Sequence, residues 1–151
     1  MSLAMTKQER ERFLADLHVG IISIPEEGRG PLTVPIWYSY EPGGELRVVT
    51  ARTSRKARLL QRAGRFSLCA QTETRPYKYV SVEGPVVAIE PADLERDRRP
   101  LARRYFGASW ATGTSKARGT SSGTCLFVCG RSDGLRSTTQ SNTSHGECEI
   151  V

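Results

Sequence analysis

No apolar run in this 151-residue chain approaches the ~20 residues that cross a bilayer, which excludes a helical membrane anchor within it. Met1 to Arg12 hold no apolar stretch of the kind a secretory signal needs, so a cytoplasmic location is expected. Aromatic residues make up only 7% of the chain and form no RNA-binding aromatic signature. Zinc-finger spacing of the usual kind is absent, and no Ser-His-Asp or Cys-His constellation appears before residue 107. Acidic residues are missing altogether between Glu45 and Glu73. A hydrophobic content of 38% and a mean hydropathy of −0.41 describe an ordinary globular chain, long enough for one core but not two.

The acid-free stretch is the most informative part of the sequence. The net charge is +6 and the pI near 9.5, a balance that admits nucleic acid as a partner. Much of the excess, however, sits in Arg52, Arg55, Lys56, Arg58, Arg62 and Arg65. A basic run is most often a solvated helix face. Here it lacks the i,i+4 acidic partners such a face carries, and it begins where a strand hands over to a helix. Glu45 to Thr50 alternates polar and β-branched residues, as a half-buried strand does. After the run, Ala57, Leu59, Leu60 and Ala63 recur at helical spacing, and Gly64 supplies a stop. Ser54 is a plausible N-cap, leaving free backbone N–H groups beside Arg52, Arg55 and Lys56. Helix dipole, hydroxyls and positive charge converge there as a phosphate requires. A small phosphorylated ligand is therefore favoured over a nucleic-acid backbone.

Elsewhere the pattern predicts a helix over Glu9 to Leu17 and strands over His18 to Ile24 and Leu32 to Tyr40, with a turn at Glu26 to Pro31. Pro42-Gly43-Gly44 turns the second strand into the third as a hairpin. A fourth strand spans Arg65 to Thr72. A long fifth spans Tyr77 to Glu90, bent at Gly84-Pro85 as at a barrel corner. Pro91 to Phe106 reads as a helix. His18, in an apolar run, reads as structural.

Pro31-Leu32-Thr33-Val34-Pro35-Ile36-Trp37-Tyr38, Thr50-Ala51-Arg52-Thr53-Ser54-Arg55-Lys56 and Tyr79-Val80-Ser81-Val82-Glu83-Gly84 together resemble the pyridoxamine 5′-phosphate oxidase-like split-barrel flavoproteins. The similarity runs over about residues 5 to 106 and leans toward the actinobacterial branch, which includes users of the deazaflavin coenzyme F-420. The resemblance implies a mostly β fold with inserted helices, a six-stranded antiparallel split β-barrel. It also implies a homodimer binding FMN or coenzyme F-420 in clefts between subunits. Carried onto this chain, Arg52, Ser54, Arg55 and Lys56 would hold the cofactor phosphate, and Thr50 would hydrogen-bond the cofactor. Val34, Pro35 and Trp37 would lie near the ring system, with Gln71 and Tyr79 as further cleft residues. Plain core packing is the competing reading of Trp37 and Tyr38. The implied activity is a flavin- or deazaflavin-dependent oxidoreductase moving hydride to or from a small organic substrate. The cofactor carries the chemistry in such proteins, so catalytic side chains stay unknown. The alternatives are a non-catalytic flavin-binding protein and a basic nucleic-acid-binding module.

Residues 1–106 are thus expected as the cofactor-binding domain and 107–151 as an atypical tail without a domain of its own. Gly107 to Val151 contains eight Ser, seven Thr and three of the four Cys, with Leu126-Phe127-Val128 as its one strand-like cluster. Three readings stand open: a polar tail, a zinc site on Cys125, Cys129, His145 and Cys148, or a frame-shifted translation. The spacing of those ligands is only loosely zinc-like, and no metal is expected. Re-read in another frame from Ala108, the segment regains an apolar strand, an Arg-Leu-Arg-Pro element and a Trp in the family's order. On that reading the last strand is lost, a sheet edge is exposed and part of the dimer interface goes with it.

Overall fold

The computed structural model describes residues 5–107 and 123–130, and the backbone of Ser141 and Asn142. Helix α1 spans Lys7–Ala15 and begins with a capping box: the Thr6 N–H donates to Glu9 Oε2 at 2.6 Å, and the Glu9 N–H to Thr6 Oγ1 at 3.3 Å. That box sets the start two residues before the expected one and leaves Leu17 outside the helix, exposed. Strands β1 (Gly20–Ile24), β2 (Leu32–Ile36), β3 (Tyr38–Ser39) and β4 (Leu46–Ala51) follow. Helix α2 (Arg55–Ala63), β5 (Arg65–Gln71) and the long β6 (Tyr77–Pro91) come next. A π-helical turn, Leu94–Arg98, leads into α3 (Arg99–Phe106), and β7 (Thr124–Cys129) and β8 (Ser141–Asn142) complete the order.

Seven strands pair in the order β2-β1-β5-β6-β7-β4-β3, with β8 against the start of β6. Every pairing is antiparallel. The sheet curls into a split barrel with one strand more than the six expected. The expected hairpin holds only in part. Leu32–Ile36 pairs with β1, whereas Tyr38–Ser39 pairs with β4, so the chain changes partner at Trp37. This residue marks the split. On the other side β6 bridges the two halves, pairing with β5 up to Pro85 and with β7 from Val86 to Pro91. Gly84 stands at this corner because a Cβ there would meet Cys129 Sγ and the Gly130 carbonyl, each at 2.8 Å.

The expectation of a lost last strand and an open edge is corrected here. Thr124–Cys129 lies between β4 and β6, with Phe127 opposite both Val48 and Ile89. Cys125, Phe127 and Cys129 join the barrel core around Tyr38, Ile22, Leu60 and Leu68. Leu126 and Val128 bury themselves on the other face with Ala92. A strand buried on both faces shows a continuous apolar run rather than alternation, as the cluster Leu126-Phe127-Val128 does. Residues 108–122, 131–140 and 143–151 lie outside the described residues, and with them His145, Cys148 and the proposed frame-shifted loop. Among the described residues no three His, Cys, Asp or Glu side chains gather as metal ligands, and no helix is long and apolar enough to cross a membrane.

His18 stacks on Phe13 with ring centroids 4.3 Å apart, and its Nε2 is buried without a described hydrogen-bond partner. Burial lowers its pKa below the ordinary 6.5. The folded chain therefore favours neutral His18. That contribution is complete above pH 6.5 and is lost as the pH falls through the lowered folded value. Thermal melting of His18→Gln is expected to fall less steeply than wild type between neutral pH and about pH 5.

Candidate functional site

The strand-to-helix turn folds as the sequence predicts. Ser54 caps α2, its Oγ accepting the Ala57 N–H at 3.1 Å, and Gly64 closes the helix at φ 62° with its N–H on the Leu60 carbonyl. Ala57, Leu59 and Leu60 are buried, which turns Arg58 and Arg62 to solvent. Thr50, buried on β4, lies 3.2 Å from Ser54 Oγ through its own hydroxyl, tying the turn to the barrel. No acidic residue stands in the first turn of α2, so the helix itself supplies no carboxylate to its N-terminal dipole.

The basic side chains divide among different tasks. Arg55 is ion-paired to Glu26 from the β1–β2 turn, an acidic partner that sequence spacing did not reveal. Arg58 donates to the Thr53 carbonyl at 2.8 Å, and the Arg52 backbone N–H to the Gly123 carbonyl at 2.8 Å. Lys56 is half-buried and lines a cleft of about 600 Å³.

That cleft opens at the split of the barrel. Pro35 and Trp37 line it from the β2–β3 junction, Val19 from the approach to β1, and Val49 from β4. Leu94, Arg98 and Phe106 line it from the π turn and α3. Of the expected site residues, Pro35, Trp37 and Lys56 meet here. Val34 does not: it packs toward the core, while its neighbour Pro35 faces out. The same alternation puts Val49, not Thr50, on the cleft wall. Arg52, Ser54 and Arg55 stay at the turn, and Gln71 and Tyr79 pair across β5 and β6. Sequence reasoning missed the π-turn and α3 lining; only the apolar spacing of Leu94 and Leu101 hinted at a packed face.

Trp37 is held by α3. Its ring stacks on Tyr105 at 4.8 Å and 7°, and Phe106 meets it edge-on at 4.8 Å and 83°. The Tyr105 hydroxyl accepts the Tyr38 N–H at 3.1 Å and lies 2.7 Å from the His18 carbonyl, to which it donates. Arg104 donates to the Ala15 and Asp16 carbonyls at the end of α1. Tyr105→Phe keeps the stacked ring but strands the Tyr38 N–H. A loss of about 1–3 kcal/mol is expected in urea denaturation.

No protein-family model matches the sequence, and no curated protein is similar to it. Solved structures are similar in fold. An F420 reductase superposes with a TM-score of 0.67 at 19% identity, covering 87% of this chain and 96% of that one. The chain has the split-barrel fold. A conserved hypothetical protein of Mycobacterium tuberculosis has a TM-score of 0.69 at 20% identity, covering 98% of this chain and 96% of that one. An FAD- and heme-binding protein of Mycobacterium smegmatis has a TM-score of 0.68 at 14% identity, covering 95% and 74%. These split barrels fit the family that the sequence resembles.

Proposed function

We propose that this split barrel binds FMN or coenzyme F-420 and acts as an oxidoreductase on a small organic substrate. One observation carries the reading: Lys56 belongs both to the basic turn at the α2 N-terminus and to the aromatic-walled cleft at the split. A phosphate at the turn and a flat ring along Pro35 and Trp37 would then belong to one molecule. The residues present fit such a group. The first-turn N–H groups and the Lys56 ammonium suit a phosphate, and Val19, Pro35, Val49 and Trp37 supply apolar wall. The F420 reductase and the FAD- and heme-binding protein among the similar structures support the choice of cofactor class.

Bound flavin or deazaflavin supplies the hydride chemistry. This chain anchors the phosphate through Lys56 and the α2 turn, orients the ring against Trp37, and limits water through the apolar walls. Arg52 stands beside the phosphate with Lys56, while Arg55, already paired to Glu26, adds to the surrounding positive field. A homodimer accompanies this reading, with a second copy covering Val19, Ile21 and Leu94, which are exposed in the single chain. Sedimentation is then expected to give twice 16.7 kDa.

The deciding experiment reduces the bound cofactor anaerobically and mixes it with a quinone. Reoxidation faster than that of free cofactor supports an oxidoreductase. Reoxidation at or below the free rate supports the non-catalytic flavin-binding alternative.

A further inference from the structure

We propose that the cleft holds a second anion position, built on Arg98, which takes the carboxylate or phosphate of an organic substrate lying against Phe106. The word substrate rests on the oxidoreductase reading; the anion position does not.

The argument begins with the acids of the same segment, each of which is committed elsewhere. Glu95 pairs with Arg99 at 2.7 Å. Glu90 and Asp97 pair with Arg96 at 3.5 and 3.2 Å. The Asp93 carboxylate accepts the N–H groups of Glu95 and Arg96 at 2.9 and 2.7 Å, and Asp97 accepts the Asp93 N–H at 2.8 Å. Arg98 is left half-buried with no carboxylate in ion-pair reach among the described residues.

Backbone geometry directs it to the cleft. The Arg98 N–H bonds the Asp93 carbonyl at 3.0 Å across a π turn, a local widening of the helix that recurs at functional sites. The two ends of the turn, Leu94 and Arg98, both line the cleft, one apolar and one cationic. Among the described residues, Lys56, Arg98 and Arg99 are its charged lining residues, and no acid stands with them. A partly desolvated guanidinium without a counter-charge is costly, and its planar fork matches a carboxylate or phosphate. With Lys56 assigned to the cofactor and Arg99 held by Glu95, Arg98 is the cation left for a second ligand. The ring of Phe106, exposed and on the cleft wall, supplies the surface for that ligand's apolar body.

The test titrates the full chain, saturated with whichever cofactor it binds or alone if it binds neither, by calorimetry. The probes are 2-naphthoate and its neutral amide. Wild type is expected to bind 2-naphthoate at least about tenfold more tightly than the amide. Arg98→Gln is expected to bind the two probes alike while keeping cofactor affinity within about twofold. Equal or absent binding of the probes by wild type overturns the proposal, as does a preference that survives in Arg98→Gln. A loss of cofactor affinity in Arg98→Gln also overturns it, by giving the guanidinium to the cofactor's own anionic chain. Failure of wild type to bind either cofactor would overturn the oxidoreductase reading alone, and the probe comparison would still decide Arg98.

Discussion

Phe127→Ala is expected to lower stability by about 3–5 kcal/mol, the cost of removing a fully buried aromatic side chain and leaving a cavity. Phe127 has no exposed surface and sits on the strand that joins β4 to β6 across the barrel. Domains of this size are stable by only about 5–15 kcal/mol, so such a loss takes a large share of the total. Urea denaturation would read it as a lower midpoint at an unchanged slope. The same experiment distinguishes the two faces of β7. Leu126→Ala empties a smaller cluster, with Ala92 and Val128, and is expected to cost about 2–3 kcal/mol, the low end of the large-to-small range. A loss under about 1 kcal/mol for Phe127→Ala would mean that Thr124–Cys129 is not a central strand. The thiol of Cys129 gives an independent check on the same segment. Burial pushes its pKa up to about 11, so slow alkylation at neutral pH is expected until the chain unfolds.

Lys56→Ala is expected to weaken FMN or F-420 by ~1.5–3 kcal/mol, the range for a hydrogen bond to a charged group. In affinity that is roughly 10- to 150-fold. The substitution leaves the α2 cap untouched, because Ser54 and Gly64 make their bonds without it. It also removes a cation from the first turn of α2, where the helix dipole disfavours positive charge, so the melting temperature should hold. Arg55→Ala provides the contrast. Its guanidinium already faces Glu26, and that half-exposed pair contributes little, so a smaller loss of cofactor affinity is expected there. Equal losses in the two variants would assign the phosphate to the general field of the turn rather than to the cleft.

Local chemistry was legible in the sequence wherever a cap or a glycine stated it. Ser54 and Gly64 bound α2, and Gly84-Pro85 marked the corner where β6 changes partner. Long-range pairing was harder to read. Nothing near Arg55 announced Glu26, because their contact spans 29 positions and depends on how β1 and β2 turn. The switch at Trp37 was hidden because Leu32 to Tyr40 is one uninterrupted β-like run, and only the sheet's curvature decides where it leaves β1 for β4. The site residues followed the same division. Pro35, Trp37 and Lys56, named from the motifs, line the cleft, whereas Val34 and Thr50 do not. Tyr105 and Arg98 were invisible to motif reasoning, since a basic helix after a strand carries no mark of the face it presents.

A fluorescence titration of the purified chain with FMN and, separately, with coenzyme F-420 tests the central claim most directly. Saturable binding of one of them in the micromolar range, weakened in Lys56→Ala and retained in Arg98→Gln, is the expected result. Binding of neither by a chain whose denaturation shows the folded barrel would contradict the account, and would leave the basic turn and the cleft as separate surfaces.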